Sequence, residues 1–527
     1  MFVAIALTQD AHVHPAPPLA SQTAQTSGSA LQTSDFVLQT SKRPVPLRSG
    51  IGAAHDDLDT RSKPAQAFYD QGLSYLHSYV WLEAARSFNQ ALTLDPRLAM
   101  AHVGLAIAYT ELNAPAAAKA AIDRAHALAT TDHDKRHIAS RALQMAGQTV
   151  AYRAALDAAL KAFPLDEELW LARGQAASSD PAERGQGSVA DSIPFYEKAQ
   201  ALAPDHFAAR HYLTHAYENT GRIAEALAEG QAFAKMAPHV PHARHMFGHN
   251  LRRVGRIREA IEEFLAADAL ESDYLRTERI PVEYDWHYQH NLDLLATSYQ
   301  YVGQIAAAEQ RFRASFAIPS SLVAQEFDKR EWPVFLLARG RANEALEIAR
   351  VLVGHRSPVV SATGHVEAGR AHLALGQFKE ASEEANAALR LMRGAEGGGM
   401  VATALQALQG EFFLRTGQKE KARPMLVEVA RQARAAPGPD AWTQALFTLE
   451  SIARAAREVG DWDLANWAAR QMLEHDPNYA GAHYALALVA QHGGDARTAR
   501  TEASAAAKFW STADPDLPEL TTIRGMM

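Results

Sequence analysis

Eight times in this chain a glycine is followed five residues later by an alanine: Gly221/Ala226, Gly255/Ala260, Gly303/Ala308, Gly340/Ala345, Gly376/Ala381, Gly417/Ala422, Gly460/Ala465 and Gly494/Ala499. Successive glycines lie 34 to 48 residues apart, the period of helical-hairpin repeats. A glycine takes the left-handed backbone that ends one helix, and the alanine is the small residue that lets a second helix pack close. Composition agrees. Alanine and leucine dominate, β-branched runs are scarce and aromatics are only 8%, which is helix-former chemistry. The expected fold class is all-α.

One further unit lies upstream, AQAFYDQGLSYLHSYVWLEAARSFNQALTLDP. Its Gly72, Tyr75, Ala84, Phe88, Ala91 and Pro96 match the small, aromatic, alanine, phenylalanine, alanine and proline positions of the tetratricopeptide repeat (TPR), so the chain resembles a TPR protein. The resemblance covers about Ala65 to Trp510 and implies an α-solenoid, a right-handed superhelix of antiparallel helix pairs. Along the chain it divides residues 1–63, a truncated signal-like segment and disordered leader, from N-terminal repeats over 64–130. An irregular helical connector with a polar loop follows over 131–200, then histidine-rich repeats over 201–320 and C-terminal repeats over 321–527. The leader is rich in Pro, Ser, Thr and Gln without a sustained period, which predicts disorder.

Between Asp205 and Asp293 stand nine of the 23 histidines, where the chain's average would place about four. Helix A of a TPR lines the concave face with its second, fifth, ninth and twelfth positions, as the resemblance implies. Counting back from the repeat alanines puts Ala208, His211, His215 and Glu218 on that face in the first of three helices. The second contributes His242, His245, His249 and Arg252, and the third His290, Asp293, Thr297 and Gln300. Repeats at Ala84, Ala381 and Ala499 carry no histidine at these positions. The stretch also resembles an uncharacterised bacterial TPR subfamily with motifs HYLxHAY, PHAxHMxxH and HNLDLLA, matched at His211–Tyr217, Pro241–His249 and His290–Ala296. That subfamily brings no activity.

Histidines three or four apart share one helix face, and such a pair can clamp a divalent ion. The candidate metal ligands are therefore His211, His215, His242, His245, His249 and His290. Glu218, Arg252, Asp293, His206 and His287 are supporting groups, Asp285 is a further candidate, and His239 stands at a helix entrance. Imidazole with carboxylate suits zinc, copper, iron, nickel or manganese. The leading expectation is a scaffold that binds a protein or peptide and carries this metal site. The alternatives are a metal-dependent enzyme of hydrolase or oxidase type, with Glu218 or Asp293 as proton carrier, and a metal-free peptide groove. His133 and His137 read as a solvated first turn.

A net charge of −8 offers no basic face to nucleic acid, and no apolar run approaches the roughly 20 residues of a membrane span. Without cysteine, thiolate ligands and disulfides are excluded. Met1–Leu7 and the polar stretch after it look like the tail of a signal peptide. That predicts a periplasmic or secreted protein, with the cytoplasm as the alternative. No dinucleotide or phosphate-loop fingerprint is present; RGQG (Arg184–Gly187) reads as an exposed loop.

Overall fold

The structure is a computed structural model that describes residues 29–177, 189–320, 323–393, 399–436 and 440–527. The signal-like Met1–Leu7 segment and the Arg184–Gly187 loop lie outside the described residues. Within them every regular element is helical, and no strand occurs. No described helix is long and apolar enough to cross a membrane. The chain forms two compact units, one ending at Asn250 and one running from Leu251 to Met527.

All eight repeat glycines turn the chain in the left-handed region, with φ between 68° and 79°. The paired alanines are buried to within 4% exposure. In the C-terminal unit this produces helix pairs such as Tyr288–Tyr301 with Ile305–Ala317, Ala441–Glu458 with Trp462–His475, and Ala480–His492 with Ala496–Phe509. Their interiors are small and aliphatic, with Phe312, Trp332 and Phe335 filling the wider gaps.

The first hairpins of the N-terminal unit turn in the same way, two of them without glycine. Tyr79, Asn113 and Gly147 adopt positive φ between the pairs Lys63–His77/Trp81–Leu94, Ala99–Glu111/Pro115–Leu128 and Asp132–Met145/Thr149–Ala162. Residues 131–162, expected to be irregular, are thus a regular hairpin. Its apolar face (Tyr152, Leu156, Ala159) joins Leu169 of the following helix, Glu167–Gln175, in one cluster.

Phe88, fully buried, is the wedge of the first repeats. A methyl group on Gly72 would stand 2.5 Å from its ring, and one on Gly104 would strike the same ring from the next helix. Overpacking of this kind costs about 1–3 kcal/mol. Gly72→Ala and Gly104→Ala are therefore expected to lower the urea midpoint, and Phe88→Leu in the same chain to restore part of it. An unchanged midpoint in both single variants would contradict this packing.

The leader departs most from expectation. Residues 41–62 run without regular structure along the N-terminal helices, and side chains satisfy the backbone that no ladder could. Arg86 donates to the carbonyl of Pro44 (2.6 Å), Gln71 donates to that of Pro46 and accepts from the amide of Arg48, and the amide of His239 donates to the carbonyl of Gly50. Composition reports the missing period but not these partners, which lie 23 to 189 residues away.

Candidate metal centre

His211 and His215 sit one turn apart on the helix Ala208–Asn219, and His242 opens the helix Pro241–Arg253. Their exposures are 0%, 6% and 4%. The Nε2 atom of His211 lies 3.1 Å from Nε2 of His215 and 3.0 Å from Nε2 of His242. The ring of Tyr79 covers all three imidazoles, with centroids 4.6, 6.2 and 5.2 Å from those of His211, His215 and His242. Tyr79 does so from a left-handed backbone, φ 61°, a conformation costly for a bulky residue and concentrated at functional sites.

The tautomer of His211 is fixed by its other nitrogen. Nδ1 stands 2.7 Å from the carbonyl of His77, the last residue of its helix, where a carbonyl has no partner within the helix. A carbonyl only accepts, so Nδ1 carries the proton and Nε2 presents a lone pair. Burial pushes His211 well below its ordinary pKa, and pushes His215 down to about 4. Both rings are neutral at pH 7, the form that binds metal.

One lone pair accepts one N–H. Two nitrogens approach His211 Nε2 at hydrogen-bond distance, so at most one approach is a hydrogen bond to that lone pair. A cation among the three relieves the other. Nitrogens bound at about 2.0–2.1 Å in tetrahedral directions lie about 3.3 Å apart, so a slight spreading of these rings admits an ion.

His245 and His249 follow on the same helix, buried, with ring centroids 4.2 Å apart. Glu218 is 4% exposed, with a carboxylate oxygen 3.7 Å from Nδ1 of His249. His239 is drawn away from the histidine rows and donates from Nδ1 to the carbonyl of Ser49.

The remaining sequence candidates belong to the C-terminal unit. Arg252, fully buried, donates to Thr297 (3.1 Å) and Thr443 and pairs with Asp440 (3.4 Å), so it braces helices there. Asp293 accepts from Ser315, and its second oxygen has no hydrogen-bond partner among the described residues. Burial raises its pKa well above the usual range. His290 is pushed down by burial. Asp285 caps a helix by accepting the amides of His287 and Tyr288, while His287 Nδ1 lies 3.0 Å from both oxygens of Glu271.

Two clusters in the N-terminal unit escaped the sequence reading. In one, Glu168 meets Nε2 of His77 at 2.9 Å and Nε2 of His206 at 3.1 Å, while Nδ1 of His77 contacts the Tyr212 hydroxyl at 2.9 Å. Burial pushes Glu168 up, but the two imidazoles outweigh it and hold the carboxyl below its usual range. In the other, His133 and His137 both place Nε2 on one oxygen of Asp166, at 2.9 and 2.7 Å. Hydrogen bonds to Asp134 and Asp166 raise His133 to about 10. The pair is a half-buried ionic cluster and not a solvated turn. Its one sequence signal was the i, i+4 spacing; Asp166 reads locally as the cap of the next helix, which it also is.

No protein-family model matches the sequence, and no curated protein matches it. Solved structures share the helical-repeat character at low similarity. The apo form of the quorum sensor NprR from B. thuringiensis is 10% identical, with 73% of this chain and 98% of that one covered and a TM-score of 0.44. Yeast Tom70 is 13% identical, with 89% and 96% covered and a TM-score of 0.34. The APC/C hetero-tetramer Cut9-Hcn1 is 13% identical, with 88% and 97% covered and a TM-score of 0.30.

Proposed function

We propose that this helical-repeat chain is a binding scaffold for a protein or peptide partner and carries a divalent transition-metal ion on His211, His215 and His242. One observation carries the reading: two imidazole nitrogens crowd the single lone pair of His211 Nε2, whose tautomer the His77 carbonyl sets. Three neutral nitrogens suit zinc, copper, iron or nickel within the expected set, since manganese prefers oxygen. The burial of all three rings favours an ion over a peptide as their ligand, because a peptide in an open groove reaches exposed side chains.

Elemental analysis of untagged protein grown with zinc, copper, iron, nickel and manganese supplements in turn tests it. About one ion per chain is expected, falling in the H211A/H215A/H242A variant; less than about 0.2 ion per chain in the parent under every supplement sinks the reading.

A further inference from the structure

One cavity in the N-terminal unit, about 110 Å³, is walled by apolar side chains such as Leu73, Trp81 and Met100. Its polar lining includes His137 of the His133–His137–Asp166 cluster, and Asp56. The leader delivers Asp56, fixed there by two bonds. Its carbonyl accepts from Gln66, and its carboxylate accepts from the Tyr69 hydroxyl at 3.1 Å. The two imidazoles and the Asp166 carboxylate form a mixed nitrogen–oxygen ligand set for a divalent cation, which takes the place of the His133 proton, unlike the all-nitrogen set around His211. A candidate ligand atom from each of His133, His137 and Asp166 lies within 4.8 Å of the other two.

The same helix, Asp132–Met145, carries a second kind of group into the cavity. Arg141 stands one turn beyond His137, on the same face, and lines the cavity. It forms no hydrogen bond or ion pair with any described residue. Ser140 lines the cavity as well, 3% exposed, with its hydroxyl lacking a hydrogen-bond partner among the described residues. A buried hydroxyl without a partner costs about 1–3 kcal/mol, and the Arg141 guanidinium has only the more distant charge of Glu111, also in the lining, to offset its desolvation. Both costs end when an anion enters. The cavity is smaller than the roughly 150 Å³ that accepts benzene, so the anion is small, and the apolar wall fits a short carbon chain.

We propose that the edge of this cavity is a second metal centre, in which His133, His137 and Asp166 hold one divalent cation and Arg141 with Ser140 receives a short-chain carboxylate beside it. It shares no ligand with the His211 site and stands or falls independently of it.

The test uses the full chain carrying H211A/H215A/H242A, so that the first site does not report, with cobalt(II) as the ion and acetate as the anion. One cobalt per chain with visible d–d absorption is expected. Adding His133→Ala and His137→Ala raises the cobalt Kd more than about 100-fold, with far-UV circular dichroism unchanged. Acetate shifts the cobalt spectrum saturably, and Arg141→Met weakens that shift at least about 10-fold while cobalt affinity stays within about 3-fold. Cobalt uptake below about 0.2 per chain, or uptake indifferent to His133 and His137, overturns the metal centre. A spectrum blind to acetate, or an acetate response indifferent to Arg141, overturns the carboxylate pocket. A loss of helicity in the His133/His137 variant shifts the readout to Asp166→Asn, which retains an oxygen for the helix cap; unchanged cobalt affinity there overturns the metal centre equally.

Discussion

Saturating zinc raises the thermal midpoint of the N-terminal unit's transition by about 10 °C, and the H211A/H215A/H242A variant shows no such rise. An ion that binds only the folded state stabilises it by about 4 kcal/mol at a thousandfold excess over Kd. For a domain of this size each kcal/mol shifts the midpoint by about 2–4 °C. Without metal the ordering changes. Removing three packed rings leaves cavities, but it also removes the close contact at His211 Nε2, so the metal-free variant loses less than three ordinary buried truncations would. In the single and the triple variant alike, losing His211 also leaves the His77 carbonyl without its donor, a loss of about 1–3 kcal/mol. Differential scanning calorimetry with zinc and with chelator reads both effects. A zinc-dependent rise that survives the triple substitution would place the ion elsewhere.

The hairpins were legible because a left-handed turn selects glycine, and all eight repeat glycines sit in one. Two earlier turns, at Tyr79 and Asn113, hold the same backbone without glycine, so a search for glycine passes over them. Asparagine tolerates that conformation through its short polar side chain; at Tyr79, packing against three imidazoles holds it. The same division runs through the site. His211 and His215 were readable from a four-residue spacing, and the repeat register added His242. Register alone could not tell that Arg252 would be taken up by Thr443, 191 residues on, or Asp293 by Ser315. His77 and Glu168, 91 residues apart, carry no local signal, since each is ordinary for its place in a helix. The leader was misread for the same reason: its partners are distant side chains, and composition reports only the chain's own preferences.

The C-terminal unit loses stability as pH rises from about 6.5 to 8, and Glu271→Gln removes part of that loss. Glu271 lies on the helix Ile257–Glu278, 3% exposed, against His287, also 3% exposed. Burial raises the Glu271 carboxyl to about 8 and lowers the His287 imidazole to about 4. Near neutrality the pair is thus a protonated carboxyl donating to a neutral ring, at 3.0 Å. A carboxyl with a raised folded pKa contributes stability that is fully present below its unfolded pKa and lost as pH climbs through the folded one. His287 acts oppositely, but only between about 4 and 6.5, where the unfolded ring binds the proton that the folded ring does not. Above 6.5 the imidazole no longer opposes the Glu271 carboxyl, and 1.5 pH units at 1.36 kcal/mol each amount to about 2 kcal/mol from this one group. Asp285, raised by burial to about 7, adds a smaller part, because it is half-buried and caps a helix. Glutamine keeps a donor toward His287 Nδ1 and cannot ionise, so its urea midpoint changes less between the two pH values and exceeds the parent's at pH 8. A parent midpoint that holds or rises toward pH 8 would mean that the pair is a carboxylate–imidazolium ion pair, and the neutral assignment would be wrong.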